Sequence, residues 1–351
     1  MGLEPQPTQP LRVCVLQASY EGSTSETKEF DDYQCTPEYE VSKCPDSHRY
    51  EFTSVAIKKE TAYSQVRDLV LKGAYDVFFN LCDGALDEDR AGITVVEALE
   101  TFGVPFTGAD SKHFEPTKIE MKKKASLAGI AVPAYAYVSK KEDIEQACRH
   151  LCFPVIVKHT SGYNSIGMTR DSLCRNMDQL KAEASRFIKQ FRDVLVEEYI
   201  EGIEITVLAC EDPHTAGSRA FTPVQFNFPD GESFKHFDLK WIDFGKMSCF
   251  PVSDPVLAEK CKAVGIAAFD HILGGIGYGR SDIRVDANGK VFLLEINPNC
   301  GIFYPNNDGS ADLILANDPI SSAGFATLMV NAAIKRNQSR TALKGMSVKL
   351  A

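Results

Sequence analysis

The sequence predicts a mixed fold, an open parallel α/β layer followed by β-rich α+β material, and three observations carry that expectation. Near the N-terminus, apolar runs of strand length (LRVCVL from Leu11, YDVFFNL from Tyr75 to Leu81) alternate with helix-forming segments, the order that builds a parallel sheet with a crevice along its loops. Beyond residue 130 the character changes: FPVIVKHTSGYNSIGM, DVLVEEYIEGIEITVLAC and SDIRVDANGKVFLLEINPN are β-rich, with long helices between them. With 351 residues, 44% hydrophobic and 25% charged, the chain has core enough for about two or three domains. Boundaries near 115 and 210 divide it into 1–115, 116–210 and 211–351.

The first strand ends in the polar loop QASYEGSTSE. A loop-rich insertion from about Lys28 to Arg49, a helix and the strand YDVFFNL follow. Next come the acidic loop CDGALDEDR, the helix ITVVEALETF and the segment GVPFTG. A helix from about Thr117 through KIEMKKKASLAG ends at Gly129, a residue suited to a helix C-terminus. MGLEPQPTQP has no apolar core and reads as a short disordered tail rather than a signal peptide. No run approaches the roughly 20 apolar residues of a membrane span.

A net charge of −10 disfavours nucleic acid as the main partner. The eleven cysteines are scattered and odd in number, which fits reduced thiols in a cytosol. Cys148 and Cys152 flank His150 but have no second pair to complete a zinc site. A Walker phosphate loop is absent. Gly275, Gly277 and Gly279 follow a helix and precede a strand, the reverse of a dinucleotide fingerprint, and read as a tight connection.

Three stretches carry chemistry. In VIVKHTSGYNSIGM a lysine ends an apolar strand, and a Ser/Gly/Asn loop follows and re-enters a strand at Gly167-Met168. Such a loop presents N–H groups and hydroxyls to phosphate, or is an ordinary flexible hairpin. In VLVEEYIEGIE, Glu197 shares a strand face with Leu195 and Tyr199, and so requires a partner such as an amino group, or else is ordinary surface charge. In the hairpin, a two-residue turn at Asn288-Gly289 pairs residues whose numbers sum to 577. Asp282 then opposes Glu295, Arg280 opposes Asn297 and Arg284 opposes Leu293, all on one face. Ile283, Val285, Phe292, Leu294 and Ile296 form the apolar, core-facing side. Asp282, Glu295 and Asn297 make an all-oxygen cluster suited to magnesium, with Arg280 and Arg284 beside it; the alternative is a ladder of surface salt bridges.

In their order and spacing, these segments, together with DVFFNLCDGALDEDRAGITVVEALETFGVPFTG, TKIEMKKKASLAGIAVPAY and the lysine of FDLKWID, resemble the ATP-grasp superfamily, and within it the D-alanine:D-alanine ligases. The resemblance runs from about Val77 to Gly301. It implies a three-domain ATP-grasp fold, its nucleotide held between two β-rich domains behind the N-terminal α/β domain.

Residue by residue, the resemblance implies that Lys118 and Lys158 contact ATP phosphates while the loop Ser161, Gly162, Asn164, Ser165 to Gly167 closes over them. Glu197 accepts from the adenine amino group, the backbone at Tyr199 and Ile200 completes the slot, and Glu204 holds the ribose. Lys240 reaches the phosphates, and Arg280 stabilises an oxyanion. Asp282, Glu295 and Asn297 bind two Mg2+ ions, with Mn2+ as the alternative ion. Arg280, Lys240 and Ser165 form the catalytic set. The implied reaction is ADP-forming ligation of small amino acids, or a related acid and amine, through an acyl phosphate, in a cytoplasmic enzyme with the family's common homodimeric state. The family pattern fails at the substrate end. Glu21 is displaced from the expected glutamate register and Ser23 occupies it, while PNCGIFYPNNDGSAD replaces the family's Thr-Ser-Pro-Gly. The implied substrate set is Glu21, Ser23, Asp83, Arg280, Gly301 and Asn306. A non-catalytic ATP-binding protein, or a ligase for a different acid or a thiol, are the alternatives.

Overall fold

The computed structural model describes residues 9–24, 28, 34–86, 88–161, 165–215, 217–305 and 309–350. Three sheets organise them. The first is parallel, with β1 (Leu11–Ala18) between β2 (Tyr50–Ile57) and β3 (Val77–Asn80). The continuous apolar run of β1 has a physical reason, since both faces of this sheet are covered. Val13 and Val15 pack into one core with Phe325 and Met329 of the helix Ser321–Leu350. Cys14 and Leu16 pack into another with residues of the helices Ala62–Leu71 and Ile93–Phe102.

The sequence reading does not anticipate β2. Its sequence, YEFTSVAI, is half exposed at the sheet edge, so it carries no apolar run and is held by parallel pairing in register, Leu11 to Tyr50 through Ala18 to Ile57. The loop-rich insertion also contains a short helix, Pro37–Ser42.

The second sheet is antiparallel, in the order β4 (Tyr135–Val138), β7 (Val194–Glu198), β5 (Val155–Lys158), β6 (Leu173–Cys174). The helix Met177–Phe191 covers it through Leu180, Ala184 and Phe187. After Lys158 the chain does not re-enter a strand at Gly167-Met168. Gly167 adopts a left-handed φ of 74°, Met168 N–H closes a turn onto Ser165 C=O, and the strand resumes only at Leu173.

The third sheet runs β11 (Ser248–Pro251), β10 (Val224–Asn227), β8 (Ile203–Glu211), β12 (Tyr278–Val285), β13 (Val291–Pro298), with β9 (Ser218–Ala220) also on β8. The boundary expected near 210 falls inside β8, which pairs only within this sheet. The helix Pro255–Leu273 lies on it, ending at left-handed Gly274; Gly277 then passes so close to Gly108 that a Cβ would meet its carbonyl carbon at 2.2 Å. The glycines there form the tight connection that the sequence predicts.

The helix Lys118–Leu127 begins at a capping box, in which Thr117 Oγ1 accepts from the Glu120 N–H and the Glu120 carboxylate accepts from the Thr117 N–H at 2.8 Å. Met121 and Ala125 bury it in the core of the third sheet, which sets Lys118 and Lys122, one turn apart, beside the functional face.

The hairpin corrects the sequence reading twice. The turn is one residue longer than expected: Asp286 N–H donates to Lys290 C=O and Gly289 sits at φ 73°, so pairs near the turn sum to 576, as in Val285 with Val291. A β-bulge between Asp282 and Ile283 then restores 577, returning Asp282 to Glu295 and Arg280 to Asn297. Arg284 consequently opposes Phe292, not Leu293. Leu293 joins Ile283, Val285, Val291 and Ile296 in the core, while Leu294 turns to the other side.

Among the described residues no single helix is long and apolar enough to cross a membrane.

Candidate active site

A cleft opens between the second and third sheets. Lys118, Lys158, Ser165, Glu197, Tyr199, Ile200, Glu204, Lys240, Arg280, Asp282 and Glu295 all line it, so the structure brings together residues spread over more than 160 positions. Ser161 is exposed, its N–H bonded to His159 Nδ1 at 3.0 Å, and is not among the lining residues. Gly162 and Asn164 lie outside the described residues. Ser165 holds a left-handed φ of 58°, and its hydroxyl donates to Lys235 C=O at 3.0 Å, tying the end of this loop to the segment that leads into Lys240.

At one end of the cleft the hairpin supplies the acids. Asn297 Nδ2 lies 3.5 Å from both Asp282 Oδ2 and Glu295 Oε1, and Thr206 Oγ1 donates to Asp282 at 2.9 Å. Lys118 Nζ is 2.8 Å from Glu295, and Arg280 is 3.1 Å from Asp282. Burial opposes ionisation of Glu295, but Lys118 and Lys158 outweigh it and hold the carboxyl below the usual range; Arg280 and Lys235 do the same for Asp282. For Lys240, burial aided by Arg280 outweighs the pull of Asp282 and Glu295 and brings it down to about 8.

The cluster fits a hard divalent cation. Two ionised carboxylates supply oxygen donors, and Asn297, whose amide nitrogen lies 3.5 Å from an oxygen of each, adds the carbonyl oxygen of the same amide. Among the described residues no group of three or more His, Cys, Asp or Glu could hold a metal alone, so water and phosphate oxygens would complete the shell, which is magnesium's habit.

Glu197 meets the need for an amino partner from within the protein. It is 1% exposed, with Lys122 Nζ 3.0 Å from one oxygen and Lys158 Nζ 3.1 Å from the other. Burial opposes its charge, yet the two lysines lower its pKa. Lys122 is buried behind the cleft and burial lowers its own pKa; the sequence reading missed it, because three consecutive lysines in KIEMKKKAS look like a solvated helix face.

Glu204 is likewise held, by Arg284 at 3.1 Å and Lys235 at 3.1 Å. Arg284 is buried, stacks on the Tyr199 ring at 4.6 Å, and donates to Tyr199 Oη at 2.6 Å and Ile200 C=O at 3.0 Å. Tyr199 N–H is taken by Pro154 C=O, so part of the backbone expected to complete a base slot is already engaged. Lys235 is the other missed residue; nothing in GESFKHFD separates it from a loop lysine.

The expected substrate residues do not converge. Asp83 and Gly301 line a second cavity. Glu21 is exposed and paired with Lys58 at 2.8 Å, and Ser23 donates to Asp89 at 2.7 Å; neither lines either cavity. Asn306 lies outside the described residues. Cys300 is buried, and burial pushes its thiol to about 12, which fits packing rather than nucleophilic chemistry.

The family model described as D-ala D-ala ligase C-terminus matches residues 125–304. The D-alanine--D-alanine ligase of Bordetella avium is 28% identical over 246 residues, covering 69% of this chain and 74% of its own length. That of Geobacter sulfurreducens is 28% identical over 261 residues, covering 73% and 76%. The crystal structure of D-alanine--D-alanine ligase from Bacillus anthracis complexed with ATP superposes with a TM-score of 0.69 at 19% identity, over 95% of this chain and 100% of that one, a likeness of fold.

Proposed function

The chain belongs to the D-ala D-ala ligase C-terminus family, and from that premise we propose that it is an ATP-dependent, ADP-forming ligase that joins a small carboxylic acid, such as an amino acid, to an amine through an acyl phosphate. The observation that carries this reading is the convergence of Lys118, Lys158, Lys240 and Arg280 with Asp282 and Glu295 in one cleft, with Asn297 beside the two carboxylates.

In this reading the acid's carboxylate oxygen attacks the γ-phosphorus of ATP and ADP leaves. The amine then attacks the carbonyl carbon and phosphate departs, leaving an amide. Lys118, Lys158 and Lys240 bind and neutralise the phosphates, whose charge spreads during transfer. Arg280 stabilises the oxyanion of the second step. Magnesium held by Asp282, Glu295 and Asn297 supplies further positive charge to the phosphate oxygens when bound. Glu197 accepts from the adenine amino group, and Glu204, oriented by Arg284, faces the ribose. Ser165, tethered to Lys235, closes the phosphate side against water. All eleven cysteines carry free thiols, which suits a reducing, cytosolic setting, and a homodimer is part of the same reading.

Incubation with Mg-ATP and a panel of small acids and amines tests the proposal. ADP and phosphate should appear only with particular pairs. AMP and pyrophosphate, or nucleotide binding with no pair turned over, would overturn it.

A further inference from the structure

Tyr278, on β12 of the hairpin, is one of the residues that line the second cavity. That side chain is fully buried, its ring fixed edge-on to Phe325 at 5.6 Å, yet its Oη has no hydrogen-bond partner among the described residues. A buried hydroxyl left unpaired is costly and calls for an explanation. Tyr278 and Arg280 are two residues apart on β12 and so share a face, about 7 Å apart. Cys300, in the cavity wall, lies close enough to Arg280 and Asp282 for their charges to act on its thiol. The cavity therefore abuts the place where the acid's carboxylate must react.

The rest of the wall narrows the chemistry. Arg90 is 4% exposed and is held by Asp83 at 3.0 Å and Glu88 at 2.8 Å, with its guanidinium over the Tyr20 ring. Gln17 uses both ends of its amide on the backbone of Cys35, at 2.9 and 2.8 Å. The two terminal nitrogens of the cation thus face carboxylates of this same chain. Burial keeps the Tyr278 phenol protonated, so it offers a neutral O–H.

We propose that this cavity receives the part of the acid substrate remote from its reacting carboxylate, and that Tyr278 selects an acid bearing a neutral hydrogen-bonding group, a hydroxyl by size, over one bearing only a methyl. The inference rests on the ligase reading and deepens it. A site built to hydrogen-bond a substrate hydroxyl discriminates against an analogue lacking it, because its own buried group is then left unpaired.

Hydroxylamine, a small nucleophile that replaces the amine, isolates the acid site in the test. Hydroxamate formation is measured with Mg-ATP and serine, alanine or 2-aminobutyrate, in both chiral forms. Serine of one hand should exceed alanine at least about tenfold in kcat/KM. Tyr278→Phe, nearly isosteric, should bring the ratio to within about threefold while the Kd for ATP stays unchanged. Alanine turned over as well as serine, or a ratio that survives in Tyr278→Phe, would overturn the inference and leave the ligase reading standing. No hydroxamate from any acid, with ATP still bound, would overturn the ligase reading and the inference with it. Should Tyr278→Phe fail to fold, the rise in Tm given by serine over alanine in the ATP-loaded wild-type protein decides: a larger rise with serine supports the selection, and equal rises refute it.

Discussion

Lys122 and Glu197 lie 3.0 Å apart with both side chains 1% exposed, and Lys158 meets the other carboxylate oxygen at 3.1 Å. Lys122 sits behind the cleft, whereas Lys158 lines it. If Lys158 turns to a phosphate, Lys122 remains to keep Glu197 ionised and aimed at the base. Lys122→Met should therefore cost about 3–5 kcal/mol of stability, as expected when a buried pair loses one member. It should also weaken ATP binding at least about tenfold, because Glu197 then has only Lys158 to hold. Lys122→Arg should restore much of both. Denaturant titration and calorimetric ATP binding check this; ATP affinity unchanged in Lys122→Met would separate Lys122 from the nucleotide site.

Glu295→Gln keeps the shape of the hairpin but removes one of two ionised oxygen donors, along with the partner of Lys118. Magnesium-dependent ADP release should fall by at least about 1,000-fold, with far-UV circular dichroism unchanged. Unchanged turnover would remove Glu295 from the metal set.

Lys240 carries a pH prediction. Its folded pKa, about 8, lies below its ordinary 10.5, so the folded protein favours the neutral amine, and the charge needed at a phosphate is lost as pH rises through about 8. ATP affinity should fall across that range, and binding near pH 8 should take up a proton. Calorimetry in two buffers of different ionisation enthalpy reads the uptake, which Lys240→Met should abolish.

Asp312 carries another. It accepts from the N–H groups of Phe303 at 2.7 Å and Tyr304 at 3.2 Å, fastening the segment that lines the second cavity. Burial raises it from 3.8 to about 7, outweighing those bonds. A carboxyl raised in the folded state contributes stability that is complete below its unfolded pKa and is lost as pH rises through the folded one. Tm should therefore fall between about pH 4 and pH 7 and level off above, and Asp312→Asn should flatten that slope.

The hairpin marks how far the sequence can be read. Its turn dipeptide placed Asp282 against Glu295 correctly, but through two compensating displacements, a longer turn and a β-bulge. Local turn chemistry carries no signal for a bulge six residues away, so Arg284, Leu293 and Leu294 were assigned to the wrong partners or faces. The apolar runs of β1, β5 and β7 were legible because both of their surroundings are protein. The strand β2 was not, because an edge strand lacks that run. Lys122 and Lys235 escaped notice for one physical reason: burial of a lysine is decided by tertiary neighbours, and its local sequence is that of a surface helix or loop.

The central claim is that an acid's carboxylate oxygen becomes bonded to the γ-phosphorus of ATP. Turnover of an acid labelled with oxygen-18 in its carboxylate, followed by mass analysis of the products, tests it directly. The account predicts ADP, with one labelled oxygen per inorganic phosphate released and the amide retaining the other. Label appearing in AMP, or phosphate released without label, would contradict it.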